Sequence, residues 1–128
     1  MNRKLLILGA VLGFTAVLLG AFGAHGLQKI VEPAAVDSFE TGVRYQMYHA
    51  FLALLVGGVF TISAKAKKTL FYLLLTGILL FSGSIYLLST QAATGIDFTS
   101  IALLTPLGGL LLILGWGVLI VQFLKKKD

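Results

Sequence analysis

The chain has no cysteine among its 128 residues. Disulfide bonds, thiolate catalysis and cysteine-based zinc sites are therefore excluded. Proline is scarce as well, with only Pro33 and Pro106, and the histidines are limited to His25 and His49. The inventory of groups for catalysis or metal binding is correspondingly small.

Charged residues are also scarce. Asp, Glu, Lys and Arg make up 12% of the residues, whereas ordinary soluble domains contain about 25%. Hydrophobic residues reach 58%. Such a chain cannot cover a water-facing surface of normal polarity, so most of its surface is expected to contact lipid. The net charge of +5 is no sign of nucleic-acid binding, since the basic residues stand at the ends of apolar runs and not along one face.

Four long apolar runs are present, at about 5–24, 48–64, 70–89 and 101–124. A helix needs roughly 20 apolar residues to cross the hydrocarbon core of a bilayer. The pattern predicts an all-α membrane protein in which four transmembrane helices form a bundle, as a single integral membrane domain over residues 1–128. The first run could instead be a cleaved signal peptide, although it is longer than a usual signal core, and cleavage would not alter the later helices.

An amphipathic segment lies between the first and second runs. Pro33 suits the first position of a helix, and the apolar residues that follow recur at helical spacing. They are Val36, Phe39, Val43 and Met47. The pattern predicts an extracytoplasmic amphipathic helix at the membrane surface, which either runs into the second span or hinges before it. A tight basic loop is expected at 65–68.

Lysine and arginine are distributed unequally between the two sides that four spans would create. One side holds only Lys29 and Arg44. The other holds Arg3, Lys4, Lys65, Lys67, Lys68, Lys125, Lys126 and Lys127. Since basic residues concentrate in cytoplasmic loops, both termini are expected in the cytoplasm and the segment from Gln28 to Arg44 outside.

Small residues and proline mark predicted positions of close helix packing or kinking. These positions are Gly9, Gly13, Gly20, Gly83, Pro106, Gly108 and Gly109. We expect Gly109→Leu to damage folding more than Leu112→Ala, on the view that Leu112 faces lipid.

The most polar stretch that adjoins an apolar run predicts a cluster at the outer face. Its members are His25, Glu40, Arg44, Tyr45, Tyr48 and His49. The favoured interpretation is a structural polar cluster with a Glu40–Arg44 pair at four-residue spacing. Two alternatives stay open. One is a metal site with both histidines and Glu40 as ligands, and the other is a site for an anionic lipid headgroup or small solute at Arg44.

Several motifs together resemble one family. They are GAFGAHGL at 20–27, FETGVRYQMYHA at 39–50, FSGSIYLL at 81–88 and TPLGGLLLILGW at 105–116. In this order they are similar to the YgdD/YwdK-like family of small bacterial inner-membrane proteins, a domain of unknown function. The resemblance implies a multi-pass protein of the bacterial plasma membrane, and it supplies no activity, cofactor or ligand.

The expected function is a structural or interaction component of that membrane. Its partners would be the lipid bilayer and either further copies of the chain or another membrane protein, with no cofactor and no nucleic acid. An enzyme is not expected, because no nucleophile and base, phosphate loop or paired carboxylates are recognisable. The alternative is a small-solute or lipid-binding transport module that acts as an oligomer, with a path lined by Ser82, Ser84 and Thr105.

Overall fold

The fold is built from α-helices, as the composition predicts. The computed structural model describes residues 1–125, so Lys126 and Lys127, counted above for orientation, lie outside the described residues. The helices are α1 (Arg3–His25), α2 (Pro33–Gly58), α3 (Ala64–Thr94) and α4 (Leu104–Lys125), with short 3₁₀ turns at Leu27–Lys29 and Thr99–Ile101. The all-α prediction is confirmed.

Local sequence signals set the ends of these helices. The Asn2 side chain accepts a hydrogen bond from Leu5 N at 3.0 Å and so caps α1, and Ser63 caps α3 in the same way through Ala66 N at 3.1 Å. Such caps satisfy backbone donors that a helix start leaves without partners. At the other end of α3, Gly95 adopts φ +74°, a left-handed conformation that glycine reaches without steric cost.

Three helical stretches are long and apolar enough to cross a membrane: Arg3–Lys29, Ala64–Thr94 and Thr99–Lys125. The helix α2 is long as well, with 26 residues. Its first half carries polar and charged residues, among them Asp37, Glu40 and Arg44. These lower its overall hydropathy below that of the other three.

Between α2 and α3, the helix limits differ from the predicted apolar runs. The second run was expected to continue to about residue 64, but α2 ends at Gly58. The predicted basic loop is also wrong, because Lys65, Lys67 and Lys68 belong to the start of α3. The cap at Ser63 explains this shift, since it starts the helix before the lysines.

The predicted surface segment is the first part of one unbroken helix, with no hinge before the apolar part of α2. Phe39, on the apolar stripe, is buried. Its ring lies 5.9 Å from that of Phe22 on α1 and 4.9 Å from that of Tyr86 on α3. This part of the stripe therefore packs against other helices.

Consecutive helices pack antiparallel, with α2 between α1 and α3 and with α4 against α3. Close contacts mark both ends of the α1–α2 pair: a Cβ on Gly57 would lie 2.9 Å from Leu5 Cβ, and one on Gly23 would lie 3.2 Å from the Phe39 ring. The described acidic residues collect at the end where α2 starts, and the basic residues Arg3, Lys4 and those at the start of α3 lie at the opposite end.

The predicted packing glycines differ in how closely they approach a neighbour. A Cβ on Gly9 would lie 2.8 Å from Ala50 O, and one on Gly108 would lie 2.8 Å from Gly77 O and still nearer to the backbone of Phe81. At Gly20 the nearest atom is 3.4 Å away and at Gly13 it is 3.9 Å away. Backbones meet at Gly9 and Gly108, where any side chain would separate the helices.

The expectations for Gly83, Gly109 and Leu112 need correction. A Cβ on Gly83 would meet nothing within 4 Å, and one on Gly109 would only touch the Phe81 ring at 3.5 Å. Leu112 does not face lipid, because it is 4% exposed and packs over Gly77. Pro106 lies in the first turn of α4, where a missing backbone donor is tolerated. It therefore suits the start of the helix and is not in the interior, where proline causes a kink.

Candidate functional site

The predicted outer cluster is divided between two levels of the bundle. Tyr45, Tyr48 and His49 adjoin on α2, with the Tyr45 ring 5.8 Å from Tyr48 and stacked 6.4 Å from His49. His25 lies at the end of α1, at the level of Phe39, since Gly23 faces the Phe39 ring. Ten residues of helix separate Phe39 from His49, which is about 15 Å of rise.

The prediction that His25 and His49 lie at one depth is therefore wrong. It assumed that a span starts near Tyr48, so that both histidines would stand at span ends. In the structure α2 starts fifteen residues earlier, at Pro33. Because α1 and α2 run antiparallel along their whole lengths, His25 lies beside the beginning of α2, and His49 lies near the middle of the bundle.

Arg44 and Glu40 lie in the half of the bundle that holds the start of α2. The exposed Arg44 guanidinium donates a hydrogen bond from Nη2 to Thr41 Oγ1 at 3.0 Å, where the spacing suggested Glu40 as its partner. Glu40 is half-buried, with its Cγ 4.0 Å from the place that a Cβ on Gly23 would occupy. The guanidinium stays on the exposed side of α2, as expected for an arginine near a membrane surface.

His49 is 4% exposed, and both of its ring nitrogens have partners. Trp116 Nε1 donates to His49 Nε2 at 3.1 Å, and Nδ1 lies 2.6 Å from the carbonyl oxygen of Tyr45. An indole N–H only donates and a carbonyl only accepts. The imidazole is therefore neutral, with its proton on Nδ1, and its Nε2 lone pair is engaged and not free for a metal ion while Trp116 stays in place.

Gln46 is the hub of this interior, at 4% exposed. Its Nε2 donates to Leu12 O at 2.9 Å and to Thr15 Oγ1 at 2.7 Å, both on α1. Its Oε1 accepts a hydrogen bond of 2.7 Å from the Tyr86 hydroxyl on α3. One amide side chain thus joins three helices through three hydrogen bonds.

The serines proposed for a transport path also have partners within the protein. Ser82 Oγ, fully buried, donates to Gly42 O at 2.7 Å, and Ser84 shares a hydrogen bond with Thr105 on α4. Within residues 1–125, every buried side-chain nitrogen or oxygen has a hydrogen-bond partner.

We call the side chains that link the helices the polar network. Its members are Thr15, Gln46, His49, Ser82, Ser84, Tyr86, Thr105 and Trp116. All are uncharged, and each bonds to another member except Ser82, which bonds to the backbone of α2. Such groups stabilise contacts between helices in lipid, where burial of more apolar surface brings little gain.

Sequence reasoning missed Gln46, although a signal existed. Gly42, Gln46 and His49 follow one another at four and three residues, which places them on one face of α2. A polar side chain on an apolar helix rarely faces lipid. On that face α2 meets α1 and α3.

The all-α bundle, its long apolar helices and the uncharged side chains that join them define an integral membrane protein. The model of the family described as "Protein of unknown function (DUF423)" matches residues 19–109. The chain belongs to that family, and the resemblance seen in its motifs is confirmed.

Relatives match over nearly the whole chain. A UPF0382 membrane protein of Haemophilus influenzae is 40% identical and aligns over 100% of this chain and 99% of its own. YwdK of Bacillus subtilis, also a UPF0382 membrane protein, is 38% identical over 96% and 98%. The inner membrane protein YgdD of Escherichia coli is 36% identical over 98% and 93%. No solved structure matches the chain.

Proposed function

We propose that the chain is a four-span structural or interaction component of the bacterial plasma membrane, and not an enzyme. The observation that carries this proposal is the polar network, in which neutral groups from all four helices satisfy one another. An interior of this kind holds a fixed arrangement of helices. The function is then carried by the surface that the bundle exposes to lipid and to other proteins.

Packing supports the count of four spans. The apolar helix α1 contacts α2 from Gly57, beside Asn2 and Leu5, to Phe39, beside Gly23. A helix that packs along nearly the full length of a spanning helix passes through the same depth of the bilayer. The hydrogen bonds of Gln46 and His49 reduce the cost of the polar groups that α2 carries into that depth.

Charge supports the orientation. The described basic residues other than Lys29 and Arg44 lie at the end of the bundle that holds the start of α1. By the positive-inside rule that end faces the cytoplasm, and the start of α2 faces outwards.

The transport alternative requires polar groups that line a water-filled path. Ser82 bonds to the backbone of Gly42 and Ser84 to Thr105, so the hydroxyls expected to line such a path are used to join helices. This arrangement favours a fixed, dry interior.

Single-cysteine labelling tests the proposal, and the cysteine-free chain makes each label unique. Ser82→Cys in folded protein in liposomes should resist a water-soluble thiol reagent, and Ser38→Cys, an exposed position on α2, should react at once. Both should react after denaturation. Equal labelling of the two folded variants would mean that water reaches Ser82, and transport would become the better interpretation.

The interaction role is tested by photo-crosslinking from the exposed side chain of Val17, with fully buried Leu74 as the matched control. A discrete protein adduct at Val17 and none at Leu74 is expected in native membranes. Lipid adducts alone at Val17, and equally at the exposed Ile113, would refute an interaction role for these two faces.

A further inference from the structure

A cleft opens between α1 and α3 at the basic end of the bundle. Both helices pack on α2, and they contact each other only slightly. The mouth of the cleft is a cavity of about 440 Å³, and its lining includes Arg3, Lys4, Lys68 and Tyr72.

A second cavity, of about 410 Å³, continues from the first and is almost wholly apolar. Ile7, Leu8 and Val11 line it. Lys4 and Phe71 border both cavities, so the two form one cleft with a basic mouth and an apolar groove.

The groove runs along one face of α1, because its residues stand three, four and seven positions after Lys4. Seven residues of helix correspond to about 10 Å of depth below the mouth. Ile7 and Val11 are each 52% exposed, which is consistent with side chains open to a lipid tail.

The charge of the mouth is not balanced by carboxylates from the described residues. Glu32, Asp37, Glu40 and Asp97 all lie at the opposite end of the bundle. The mouth also adjoins the first turn of α1, whose backbone N–H groups favour a negative charge.

We propose that this cleft binds one anionic phospholipid from the leaflet at the basic end. The phosphate lies at Arg3, Lys4 and Lys68, where a guanidinium can form a paired hydrogen bond with phosphate oxygens. One acyl chain follows the groove along Ile7 and Val11. Tyr72 stands at headgroup level, where an aromatic ring with a polar edge is favoured.

The combination of a basic mouth and an apolar groove favours an anionic phospholipid over other ligands. A soluble anion would use the basic mouth and leave the groove empty. A zwitterionic phospholipid would fill the groove but bring no net charge to the three basic side chains. An anionic phospholipid matches both parts, and its site is independent of the outer residues Arg44 and Glu40 and of the proposed interaction role.

Native mass spectrometry of the full chain tests the proposal, with dioleoylphosphatidylglycerol and dioleoylphosphatidylcholine as probes. The chain should retain the anionic lipid preferentially. Lys68→Gln and Arg3→Gln should each weaken its binding about fivefold, the effect of one surface charge. Lys67→Gln is the matched control, since it removes the same charge from the neighbouring position, which does not line the cleft.

The groove is tested by Val11→Trp, whose ring should fill it and weaken binding of the anionic lipid. Val17→Trp, on the exposed surface of the same helix, is the control and should leave binding unchanged. Unchanged melting temperatures in phosphatidylcholine show that the variants are folded. Equal losses for Lys67→Gln and Lys68→Gln would reduce the effect to general surface charge and overturn the site. Displacement of the lipid by millimolar glycerol phosphate, or no effect of Val11→Trp, would point to a headgroup-only site and overturn the proposal equally.

Discussion

Removal of the Gln46 amide is the most direct test of the polar network. Gln46→Leu keeps a side chain of similar size but removes the partners of Leu12 O, Thr15 Oγ1 and the Tyr86 hydroxyl. Hydrogen bonds between membrane helices contribute on average about 0.6 kcal/mol each, so three of them amount to roughly 2 kcal/mol. A buried hydroxyl left without a partner costs about 1–3 kcal/mol, which is of the same size.

Two of the three partners keep other hydrogen bonds after the substitution. Thr15 Oγ1 still donates to Val11 O at 2.8 Å, and Leu12 O is a helix carbonyl. The Tyr86 hydroxyl is the group that loses its acceptor. Changing Tyr86 as well should therefore cost little further stability, because its hydroxyl has already lost its acceptor.

A double-mutant cycle measures this coupling. We expect Gln46→Leu to lower the free energy of unfolding in mixed detergent micelles by about 2 kcal/mol and Tyr86→Phe by about 1 kcal/mol. The double variant should be about 1 kcal/mol more stable than the sum of the two single losses predicts. Additive losses would show that the two side chains do not share the hydrogen bond, and the network would not carry the stability assigned to it.

Further predictions concern packing and topology. Gly108→Leu should prevent accumulation of folded protein in membranes, because its Cβ would meet the backbone of α3, while Gly83→Leu should accumulate normally; equal levels would contradict the close crossing. Leu112→Ala should lower the free energy of unfolding by about 2–5 kcal/mol, as for other buried leucines, and a loss near zero would mean that Leu112 faces lipid. Asp37→Cys should react with an impermeant reagent in intact cells and Lys67→Cys only after lysis; the reverse pattern would invert the proposed orientation.

Length and composition were sufficient for the class of protein. A helix that contacts lipid needs about 20 apolar residues, so membrane helices are visible in the sequence as runs, and the runs at the ends and in the third position correspond to α1, α4 and α3. Caps are local too, and Ser63 could have indicated that the lysines after it are helical. The family was recognisable because its motifs are continuous strings.

Which side of each helix faces protein was decided only by tertiary structure. Gly83 and Gly108 were both predicted as packing positions, because each is a glycine within an apolar run, yet only Gly108 meets another backbone. His49 appeared to belong to a membrane surface because aromatic and polar residues surround it, but the length of α2 carries it to mid-bundle and to Trp116. Rotation about a helix axis and the register of antiparallel neighbours depend on contacts between residues far apart in the chain, such as Gln46 and Tyr86. In uniformly apolar helices the hydrophobic pattern carries little of that information, because lipid and protein interior are equally apolar.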